Sequence, residues 1–423
     1  MKTVIMAGGK GTRISSVSGT IPKGLLEVDG KTVLARQIEC LAKQGYRDII
    51  IVTGHLGETI RSRLGDGKVF GVTLTYYHEE KPLGTAGALA ALKNELHEDF
   101  LLINGDLIFD MDFDRFAAFH RRNKALATLF THPNNHPFDS EIVIAGSDCV
   151  VTGWLNRSTQ KFAYKNRVNA GIHLLSPEIF SAIGEIKKLD LDKDVLMPLL
   201  DTGRIYAYNS PEYVKDMGTP ERYEEVTRDC ISGKVGARNL RHKQKAVFLD
   251  RDGTINTYKG LVTRAEQLTL IEGSAQAVAT INRSPYLAII ITNQPVIARG
   301  DCTVEELEHI HNRLECQLGE QGAYVDAVYY CPHHPDDGYV GERSEYKINC
   351  ACRKPKPGLI LQAAEDYNID LTQSYMVGDD IKDVLAGRAA GCKTAYLLSG
   401  KRTEEPVNAP SYNDLIAFVR GNI

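Results

Sequence analysis

K-A-V-F-L-D-R-D-G-T, residues Lys245–Thr254, is the stretch that decides the fold of the carboxyl-terminal half of this chain. Its apolar run, Ala246–Leu249, is too short for a core helix and predicts a buried strand. The strand leads into Asp250 and Asp252, so two carboxylates stand at the sheet edge where open α/β folds bind ligands. A carboxylate there can hold a divalent cation and can attack phosphorus to form an acyl phosphate. An acidic turn after a strand is the alternative, and the sequence downstream argues against it.

The residues around this stretch predict a doubly wound α/β domain over residues 245–423, because short apolar runs alternate with segments of helical periodicity. Strands after the first are predicted at Tyr286–Thr292, Val325–Tyr330, Ser374–Gly378 and Lys393–Leu398. Helices are predicted at Ser274–Asn282, Thr303–Leu318, Leu359–Tyr367 and Ile381–Ala390.

Polar groups stand where these strands end. Thr292, Asn293 and Gln294 close the second strand and offer a hydroxyl and two amides to phosphate oxygens. Gly378–Asp383, G-D-D-I-K-D, closes the fourth strand and adds carboxylates for Mg²⁺. Before it, Arg353–Gly358, R-K-P-K-P-G, supplies cations for a phosphoryl group. A solvated basic face is the alternative for that run, but the order of the motifs favours a phosphoryl-transfer site.

A cysteine-rich insertion precedes the basic run. Cys331, His333, Cys350 and Cys352 form a C-x-H pair and a C-x-C pair, a spacing typical of a closed tetrahedral zinc site. A closed site leaves the metal no open position, so we expect it to fix the loop that carries the basic run. His334 is left over, and we expect it to serve the loop or the substrate.

The four motifs in this order resemble those of the haloacid dehalogenase phosphatases. The resemblance implies that Asp250 is the nucleophile, and that Asp252 protonates the leaving oxygen and then deprotonates the attacking water. It also implies that Thr292 and Lys354 hold the phosphoryl group. By the same resemblance, Asp250, the main-chain carbonyl of Asp252 and Asp379 would ligate Mg²⁺.

Within that superfamily, the second half resembles the heptose 1,7-bisphosphate phosphatases through L-D-R-D-G-T-I-N, T-N-Q, I-A-R-G, Y-Y-C-P-H-H-P, C-A-C-R-K-P-K-P-G and S-Y-M-V-G-D. By position, the residues implied to face the sugar are Tyr258, Lys259, Gly260, Leu261, Thr292, Asn293, Gln294, Pro295 and Arg353. Pro295-Val296 replaces the usual Ser-Gly, and Asp380 replaces a common lysine, which bears on the preferred sugar or anomer. Histidinol-phosphate phosphatases share the zinc loop and are the alternative for this half.

The first half, residues 1–233, predicts a second doubly wound α/β domain. Strands are predicted at Thr3–Ala7, Asp48–Thr53, Val72–Tyr77 and Phe100–Asn104, and helices at Thr32–Gln44 and Thr85–Leu92. Residues 234–244 are small, polar and basic and lack apolar periodicity, which predicts an interdomain linker.

A glycine-rich loop follows the first predicted strand. It contains Gly8, Gly9, Gly11, Thr12 and Arg13. Glycines let main-chain amides crowd around phosphate oxygens, and a following cation neutralises them. A tight turn between strand and helix would use the same residues.

Four further segments favour phosphate chemistry in this half. Lys23 suits a second phosphate contact, and Leu83–Gly87, L-G-T-A-G, forms another glycine loop that opens a helix. Asp106 and Asp216 each place a carboxylate at a strand end. Two carboxylates with a triphosphate loop are what Mg²⁺-assisted nucleotidyl transfer requires.

This ordered set resembles the sugar-1-phosphate nucleotidyltransferases, through A-G-G-K-G-T-R, I-P-K, L-G-T-A-G-A-L, N-G-D, V-N-A-G-I, K-D-V-L-M-P-L-L and D-M-G-T-P-E-R-Y. The resemblance implies that the first glycine loop wraps the triphosphate, that Lys23 contacts phosphate, and that Asp106 and Asp216 hold Mg²⁺. The residues implied to contact the nucleoside are Gly84, Thr85 and Gly87, and those implied to contact the sugar are Asn169 and Gly171.

Within that family, this half looks most like the heptose 1-phosphate guanylyltransferases. It departs from them at Gly24, where proline is usual, and at Thr159–Phe162, where a Glu-Lys pair is usual. The choice of GTP rests on the resemblance alone, and an inactive regulatory domain that senses nucleotide is the alternative.

Composition excludes several classes of protein. The chain has 423 residues, 43% hydrophobic and 25% charged, with a net charge of −4, which is ordinary for soluble domains and gives no reason to expect a nucleic-acid or anionic-membrane partner. No run of 18 apolar residues and no signal peptide occurs. Scattered cysteines are typical of a reduced cytoplasm. The oligomeric state stays open.

Together these patterns predict a bifunctional cytoplasmic enzyme. The second domain would remove the 7-phosphate of a heptose 1,7-bisphosphate, and the first would join the remaining 1-phosphate to a nucleoside monophosphate from an NTP. The product would be a nucleotide-activated heptose for surface polysaccharide.

Overall fold

The computed structural model describes residues 1–9, 14, 19, 21–137, 140–155, 162–400 and 407–423. Its chain divides into two compact units. The first comprises Met1–His132, Val143–Leu155 and Asn169–Asn239, and the second comprises Pro133–Ile142, Asn156–Val168 and Leu240–Ile423. Among the described residues, no helix combines the length and the apolar character that crossing a membrane requires.

The first unit is built on a mixed sheet in which nine strands are described. The strands of this half are β1 Thr3–Met6, β2 Glu27–Val28, β3 Lys31–Thr32, β4 Asp48–Thr53, β5 Thr73–His78, β6 Phe100–Asn104, β7 Leu107–Asp110, β8 Ala127–His132, β9 Ile142–Ala145, β10 Val151–Leu155, β11 Val168–Leu175, β12 Ile205–Asn209 and β13 Tyr213–Asp216. The large sheet runs β10, β9, β11, β6, β1, β4, β5, and β8 pairs with both β11 and β12. Strands β6, β1, β4 and β5 are parallel, whereas β11 runs antiparallel to β6. A separate two-stranded ladder joins β7 to β13.

Helices cover this sheet. They are α1 Val33–Lys43, α2 Gly57–Leu64, α3 Gly84–Ala91, α4 Phe113–Arg122, α5 Phe180–Ile183, α6 Pro220–Ile231 and α7 Lys234–Ala237. The parallel strands are buried on both faces: Ile5 and Ile51 pack into one core cluster, and Val4 and Ile50 into the other. That two-sided burial explains the continuous apolar runs by which the sequence predicts these strands.

The second unit is built on six strands that are all parallel. They are β14 Lys245–Leu249, β15 Tyr286–Asn293, β16 Ala327–Cys331, β17 Tyr375–Gly378, β18 Lys393–Leu397 and β19 Ser411–Tyr412, in the order β16, β15, β14, β17, β18, β19. The helices are α8 Ser274–Arg283, α9 Val304–Gly319, α10 Gly358–Asp366, α11 Ile381–Ala390 and α12 Leu415–Asn422. The predicted α/β class of both halves is confirmed, with each predicted element within two residues of its observed bounds.

Strand β14 is the centre of the second unit. Val247 and Leu249 pack into the core cluster on one face of the sheet, and Ala246 and Phe248 pack into the cluster on the other. All four side chains are fully buried. A strand covered on both faces needs apolar residues at every position, and this is why the opening stretch lacks alternation.

The predicted linker, residues 234–244, begins inside the first unit. Its first residues form α7, and the side chains of Lys234 and Asn239 are buried. Lys234 Nζ lies 3.2 Å from Oδ2 of Asp229, and Asn239 Nδ2 donates to Oδ1 of Asp110 at 2.6 Å. Because these buried polar groups are paired, the cost of removing them from water is offset. The domain limits at 233 and 245 stay a prediction.

Part of the second unit comes from earlier in the sequence. The main-chain amide of Tyr164 donates to Sγ of Cys316 at 3.2 Å, and that of Asn166 donates to Oε2 of Glu315 at 2.7 Å. Nη1 of Arg167 lies 3.5 Å from the same Glu315 carboxylate, and both side chains are buried. Residues 162–168 therefore form part of the packing around helix α9.

Candidate active sites

The carboxyl ends of three neighbouring strands meet at one edge of the parallel sheet in the second unit. Asp250 follows β14, Thr292 lies at the end of β15, and Asp379 follows β17. Strand β14 lies between the other two in the sheet, so the three residues come from adjacent strands. This is the edge at which the sequence predicts the chemistry.

Lys354 is the cation of this site. Its Nζ lies 2.8 Å from Oδ1 of Asp250 and 2.6 Å from Oδ1 of Asp383, and it donates to the carbonyl of Ile291 at 2.8 Å. Burial by itself lowers the pKa of the Lys354 ammonium, but the two carboxylates outweigh burial and raise that pKa above its ordinary value. Lys354 is therefore charged beside Asp250, as a group that binds phosphoryl oxygens must be.

The polar side chains at the end of β15 form hydrogen bonds with other groups of the protein. Oδ1 of Asn293 accepts from the Lys354 amide, and Nδ2 of Asn293 donates to the Lys354 carbonyl, both at 3.0 Å. Nε2 of Gln294 donates to Oγ1 of Thr292 at 2.9 Å. Asn293 thus fixes the main chain of Lys354. The contacts of Asn293 and Gln294 with a sugar, and of Thr292 with phosphate, stay predictions.

Three carboxylates form a group that can hold a divalent cation. One oxygen from each of Asp250, Asp379 and Asp383 lies within 4.8 Å of the others. Burial raises the pKa of Asp383 to about 8. The positive charge of Lys354 acts to lower this pKa, and the negative charge of Asp250 acts to raise it. Three carboxyl groups whose oxygen atoms lie this close together offer the kind of donor that Mg²⁺ prefers.

This group differs from the predicted metal set at one residue. The sequence predicts the Asp252 carbonyl as a ligand, which stays a prediction, and it places Asp383 in an acidic cluster for Mg²⁺ without assigning it as a ligand. Asp383 reaches the group from the first turn of α11, where its Oδ2 accepts from the Asp380 amide at 3.1 Å. The spacing G-D-D-x-x-D could have indicated this, because it places the third aspartate in the first turn of a helix that begins after the second. Gly253 has a φ of +89° and a Cβ there would collide with the Asp379 carboxylate, so D-x-D-G-T requires its glycine.

The carboxylate of Asp252 is fully engaged with neighbouring donors. Nη2 of Arg251 donates to Oδ2 at 2.7 Å, Nδ2 of Asn256 donates to Oδ1 at 2.9 Å, and Nε2 of Gln294 donates to Oδ2 at 3.0 Å. Burial raises the pKa of Asp252, but the charge of Arg251 and these hydrogen bonds outweigh burial and hold that pKa below its ordinary value. Neither Arg251 nor Asn256 was predicted as a site residue, because an arginine between two aspartates suggests an exposed turn.

The cysteine-rich insertion brings its four predicted ligands together. The ligand atoms of Cys331, His333, Cys350 and Cys352 all lie within 4.8 Å of one another. Sγ of Cys331 lies 3.5 Å from Sγ of Cys350, and Sγ of Cys352 lies 3.1 Å from Sγ of Cys350 and 3.3 Å from Nδ1 of His333. All nine cysteines are free thiols. Three sulfur donors and one imidazole in a closed cluster fit zinc.

The cluster is tied to the basic run that follows it. Nη1 of Arg353, the residue before Lys354, donates to the carbonyl of His333 at 3.0 Å. Burial lowers the pKa of His333, which favours the neutral imidazole that a metal binds. His334 lies outside the ligand group, and its Nε2 is 3.2 Å from Nη2 of Arg299.

The segment predicted to face the sugar, residues 258–261, is exposed. Tyr258 is 52% exposed and Leu261 is 43% exposed, and Lys259 and Gly260 are exposed between them. These side chains are accessible to a ligand, and their contact with a sugar stays a prediction.

In the first unit, the predicted cation and one predicted carboxylate lie side by side. Nζ of Lys23 donates to Oδ2 of Asp106 at 3.3 Å. Asp216 ends β13, where it pairs with Leu107, the residue after Asp106, and the amide of Met217 donates to the Asp106 carbonyl at 3.1 Å. Nη1 of Arg222 donates to both oxygens of Asp216, at 3.0 and 2.8 Å. Arg222 was not predicted as a site residue, although it belongs to the motif D-M-G-T-P-E-R.

The first glycine loop is described only in part. Gly11, Thr12 and Arg13 lie outside the described residues, whereas Gly8 and Gly9 follow β1. Their contact with a triphosphate stays a prediction.

The second glycine loop packs against a neighbouring segment of the first unit. A Cβ on Gly84 or Gly87 would collide with the carbonyl of Leu189 or Lys187, respectively. Oγ1 of Thr85 accepts from the amide of Leu191 at 2.9 Å. Close packing therefore accounts for the small residues of this loop, and a nucleoside contact stays a prediction.

The residues predicted to contact the sugar in this half are also paired within the protein. Nδ2 of Asn169 donates to Oδ2 of Asp192 at 3.0 Å, and Oδ1 of Asn169 accepts from the Gly171 amide at 3.0 Å. Gly171 has a φ of +77°, and a Cβ there would collide with Asn104. All three residues of N-A-G lie in β11, where the close approach of Asn104 accounts for the glycine, and the sugar contact stays a prediction.

Comparison with known proteins finds relatives for both halves. A family model for nucleotidyl transferases matches residues 2–233, and a model for HAD-hydrolase-like proteins matches residues 351–418. The carboxyl-terminal half is similar to the D-glycero-beta-D-manno-heptose-1,7-bisphosphate 7-phosphatase of Pasteurella multocida, with 40% identity over 164 residues, or 39% of this chain and 85% of that protein.

Two solved structures resemble one half each. HddC from Yersinia pseudotuberculosis, complexed with GMP-PN, is 26% identical with a TM-score of 0.48, over 54% of this chain and 99% of that one. The D,D-heptose 1.7-bisphosphate phosphatase from B. bronchiseptica, complexed with magnesium and phosphate, is 32% identical with a TM-score of 0.37, over 42% of this chain and 97% of that one.

The family models and the curated relative confirm the two resemblances stated from the sequence motifs. The match to the nucleotidyl transferase model spans more than half of the chain, and the match to the phosphatase covers most of that relative's length. The chain therefore belongs to the nucleotidyl transferase family over residues 2–233, and its carboxyl-terminal half belongs to the family of D-glycero-beta-D-manno-heptose-1,7-bisphosphate 7-phosphatases.

Proposed function

We propose that this chain is a bifunctional cytoplasmic enzyme that makes a nucleotide-activated heptose. Residues 245–423 hydrolyse the 7-phosphate of D-glycero-D-manno-heptose 1,7-bisphosphate, and residues 1–233 transfer GMP from GTP to the resulting heptose 1-phosphate. The observation that carries the phosphatase is the contact of Lys354 Nζ with Asp250 Oδ1 at 2.8 Å beside two further carboxylates. For the transferase it is the contact of Lys23 with Asp106 at 3.3 Å.

The phosphatase reaction proceeds in two displacements at phosphorus. A carboxylate oxygen of Asp250 attacks the phosphorus of the 7-phosphate while the bond from phosphorus to the sugar oxygen breaks. The negative charge of the bound phosphate raises the pKa of Asp252, which takes a proton from solvent and gives it to the sugar oxygen. Water then attacks the phosphorus of the acyl phosphate, Asp252 takes the proton of that water, and phosphate leaves Asp250. Lys354 and Thr292 bind the non-bridging oxygens through both steps.

Two kinds of metal ion fit this half, one at the reacting groups and one in the cysteine-rich insertion. Asp250, Asp379 and Asp383, together with the carbonyl of Asp252, would hold Mg²⁺, which would neutralise the charge of the phosphoryl oxygens. Zinc would be held by the four ligands of the cysteine-rich insertion and would have a structural role, because the closed cluster offers no open position. Residues proposed to face the sugar are Tyr258, Lys259, Gly260, Leu261, Asn293, Gln294 and Arg353.

The transferase reaction is a single displacement. A phosphate oxygen of heptose 1-phosphate attacks the α-phosphorus of GTP, and pyrophosphate leaves. Lys23 neutralises phosphate, and Asp106 and Asp216 would hold the Mg²⁺ that offsets the developing charge. The residues proposed to bind the triphosphate are Gly8, Gly9, Gly11, Thr12 and Arg13. Those proposed to bind the nucleoside are Gly84, Thr85 and Gly87. Those proposed to bind the sugar are Asn169 and Gly171.

A matrix of NTPs against sugar phosphates, with phosphate and pyrophosphate measured in each well, tests this assignment. We expect phosphate from heptose 1,7-bisphosphate without any NTP, and pyrophosphate from heptose 1-phosphate with GTP. Turnover of histidinol phosphate instead of the bisphosphate would contradict the phosphatase assignment. Absence of pyrophosphate with every NTP would make the first half a regulatory domain.

A further inference from the structure

A buried arginine stands between the two aspartates of the phosphatase motif. Arg251 is 0% exposed and heads the fully buried side chains in volume among the described residues. Its main-chain amide donates to Oδ1 of Asp250 at 2.8 Å, while its guanidinium turns to Asp252. Neither the nucleophile nor the metal group described above needs this side chain.

The guanidinium contacts both oxygens of Asp252. Nε and Nη2 donate to Oδ1 at 3.2 and 3.0 Å, and Nη2 also donates to Oδ2 at 2.7 Å. Nη2 further donates to Oε1 of Gln294 at 3.1 Å, and Gln294 itself donates to Asp252 and to Thr292. Asn256 completes the set at Oδ1. A carboxyl group held from three sides has one position and one orientation.

Packing does not explain the choice of arginine here. A buried guanidinium loses its hydration, and apolar residues of similar volume often replace buried ion pairs without loss of stability. Nη1 of Arg251 is buried and has no hydrogen-bond partner among the described residues, which adds a further cost. Burying this side chain therefore has a free-energy cost that a methionine would avoid, while Nε and Nη2 donate to Asp252 and to Gln294, which itself donates to Asp252.

We propose that Arg251 is a positioning residue that fixes Asp252 for proton transfer to the leaving oxygen. The proposal rests on the acid–base role assigned to Asp252 under the proposed function. It predicts that loss of Arg251 lowers kcat/KM most for substrates whose leaving group must be protonated. A sugar alkoxide needs one, whereas p-nitrophenolate leaves without one.

The test compares kcat/KM for heptose 1,7-bisphosphate and for p-nitrophenyl phosphate, because kcat/KM reports only the steps up to departure of the leaving group. In Arg251→Met we expect kcat/KM for the bisphosphate to fall about 10²-fold, the lower range of general acid catalysis. For p-nitrophenyl phosphate we expect less than about a threefold change. Arg251→Lys should recover part of the loss. Exposed Arg388, in the same unit, is the matched control, and Arg388→Met should change neither value.

A second, smaller change tests the same idea in case the Arg251→Met protein does not fold. Asn256→Leu removes one hydrogen bond from Asp252 and leaves the ion pair intact, and it should lower kcat/KM several-fold for the bisphosphate only. Equal losses on both substrates in a folded Arg251→Met protein, or no loss on either, would overturn the positioning role. If the wild-type protein rejects the bisphosphate, the heptose assignment fails, and another alkyl phosphate that it hydrolyses takes its place in the comparison. Hydrolysis of no alkyl phosphate would overturn both proposals.

Discussion

The two proposed active sites differ in how closely carboxylates hold the cation that is proposed to bind phosphate. In the second unit, Lys354 lies within 2.8 Å of both Asp250 and Asp383, and the donors around Asp252 leave neither of its oxygens unbound. In the first unit, the matching cation and carboxylate, Lys23 and Asp106, are 3.3 Å apart.

The difference follows from the chemistry proposed for each half. A phosphatase that forms a covalent intermediate needs a nucleophile, a cation and an acid that are in place before substrate arrives. A nucleotidyltransferase joins two substrates directly, so the protein needs no nucleophile of its own held in place by a cation. Four changes test this contrast.

Loss of the nucleophile should have the largest effect. In Asp250→Asn the amide cannot attack phosphorus, so phosphate release should fall by about 10⁴-fold or more. Pyrophosphate release from heptose 1-phosphate and GTP should be unchanged. Both products are measured on one folded preparation, and loss of both would mean that the sites are not independent.

The converse change empties the transferase metal site. Asp106→Ala should lower pyrophosphate release by about 10²- to 10³-fold, because charge stabilisation at the α-phosphorus is lost. Phosphate release from the bisphosphate should stay at the wild-type rate. A parallel fall in phosphate release would contradict the separation of the two sites.

The third change concerns the segment that precedes the second half in sequence but packs within the second unit. Arg167→Met leaves the Glu315 carboxylate buried without its cation and should lower the free energy of unfolding by about 3 kcal/mol. Chemical denaturation measures this value, and Arg388→Met, an exposed change in the same unit, should be within about 0.5 kcal/mol of wild type. Equal stability of the two variants would show that the ion pair is not structural.

The smallest effect is expected from the cysteine cluster, because it lies outside the reacting groups. Cys350→Ser should lower bound zinc and reduce phosphate release about 10-fold, as the loop that carries Lys354 loosens. Cys392→Ser removes a buried thiol of the same unit and should retain zinc. Elemental analysis that finds no zinc in wild-type protein purified without chelator would refute the metal assignment.

The sequence predicted the parts of the fold that rest on local patterns. Asp48–Thr53 and Phe100–Asn104 coincide residue for residue with observed strands, because both are continuous apolar runs buried on two faces. Short or half-exposed strands such as Ile142–Ala145 gave no comparable signal. The convergence of Asp250 and Asp379 followed from the parallel order of their strands.

The details of the sites were less predictable, because they depend on side-chain direction and on contacts between distant residues. Asp383 joins the carboxylates through a helical turn, and Arg251 turns inward to Asp252 although its sequence neighbours suggest a surface turn. The hydrogen bond between Asn166 and Glu315 joins positions far apart in sequence, so no local sequence pattern predicts it.

The order of the two reactions tests the central claim most directly. Given heptose 1,7-bisphosphate, GTP and Mg²⁺, the wild-type protein should release phosphate before pyrophosphate, and the two should reach equal amounts. Asp250→Asn protein in the same mixture should release neither, and added heptose 1-phosphate should restore pyrophosphate alone. Pyrophosphate release by Asp250→Asn protein from the bisphosphate itself would contradict the proposed sequence of steps.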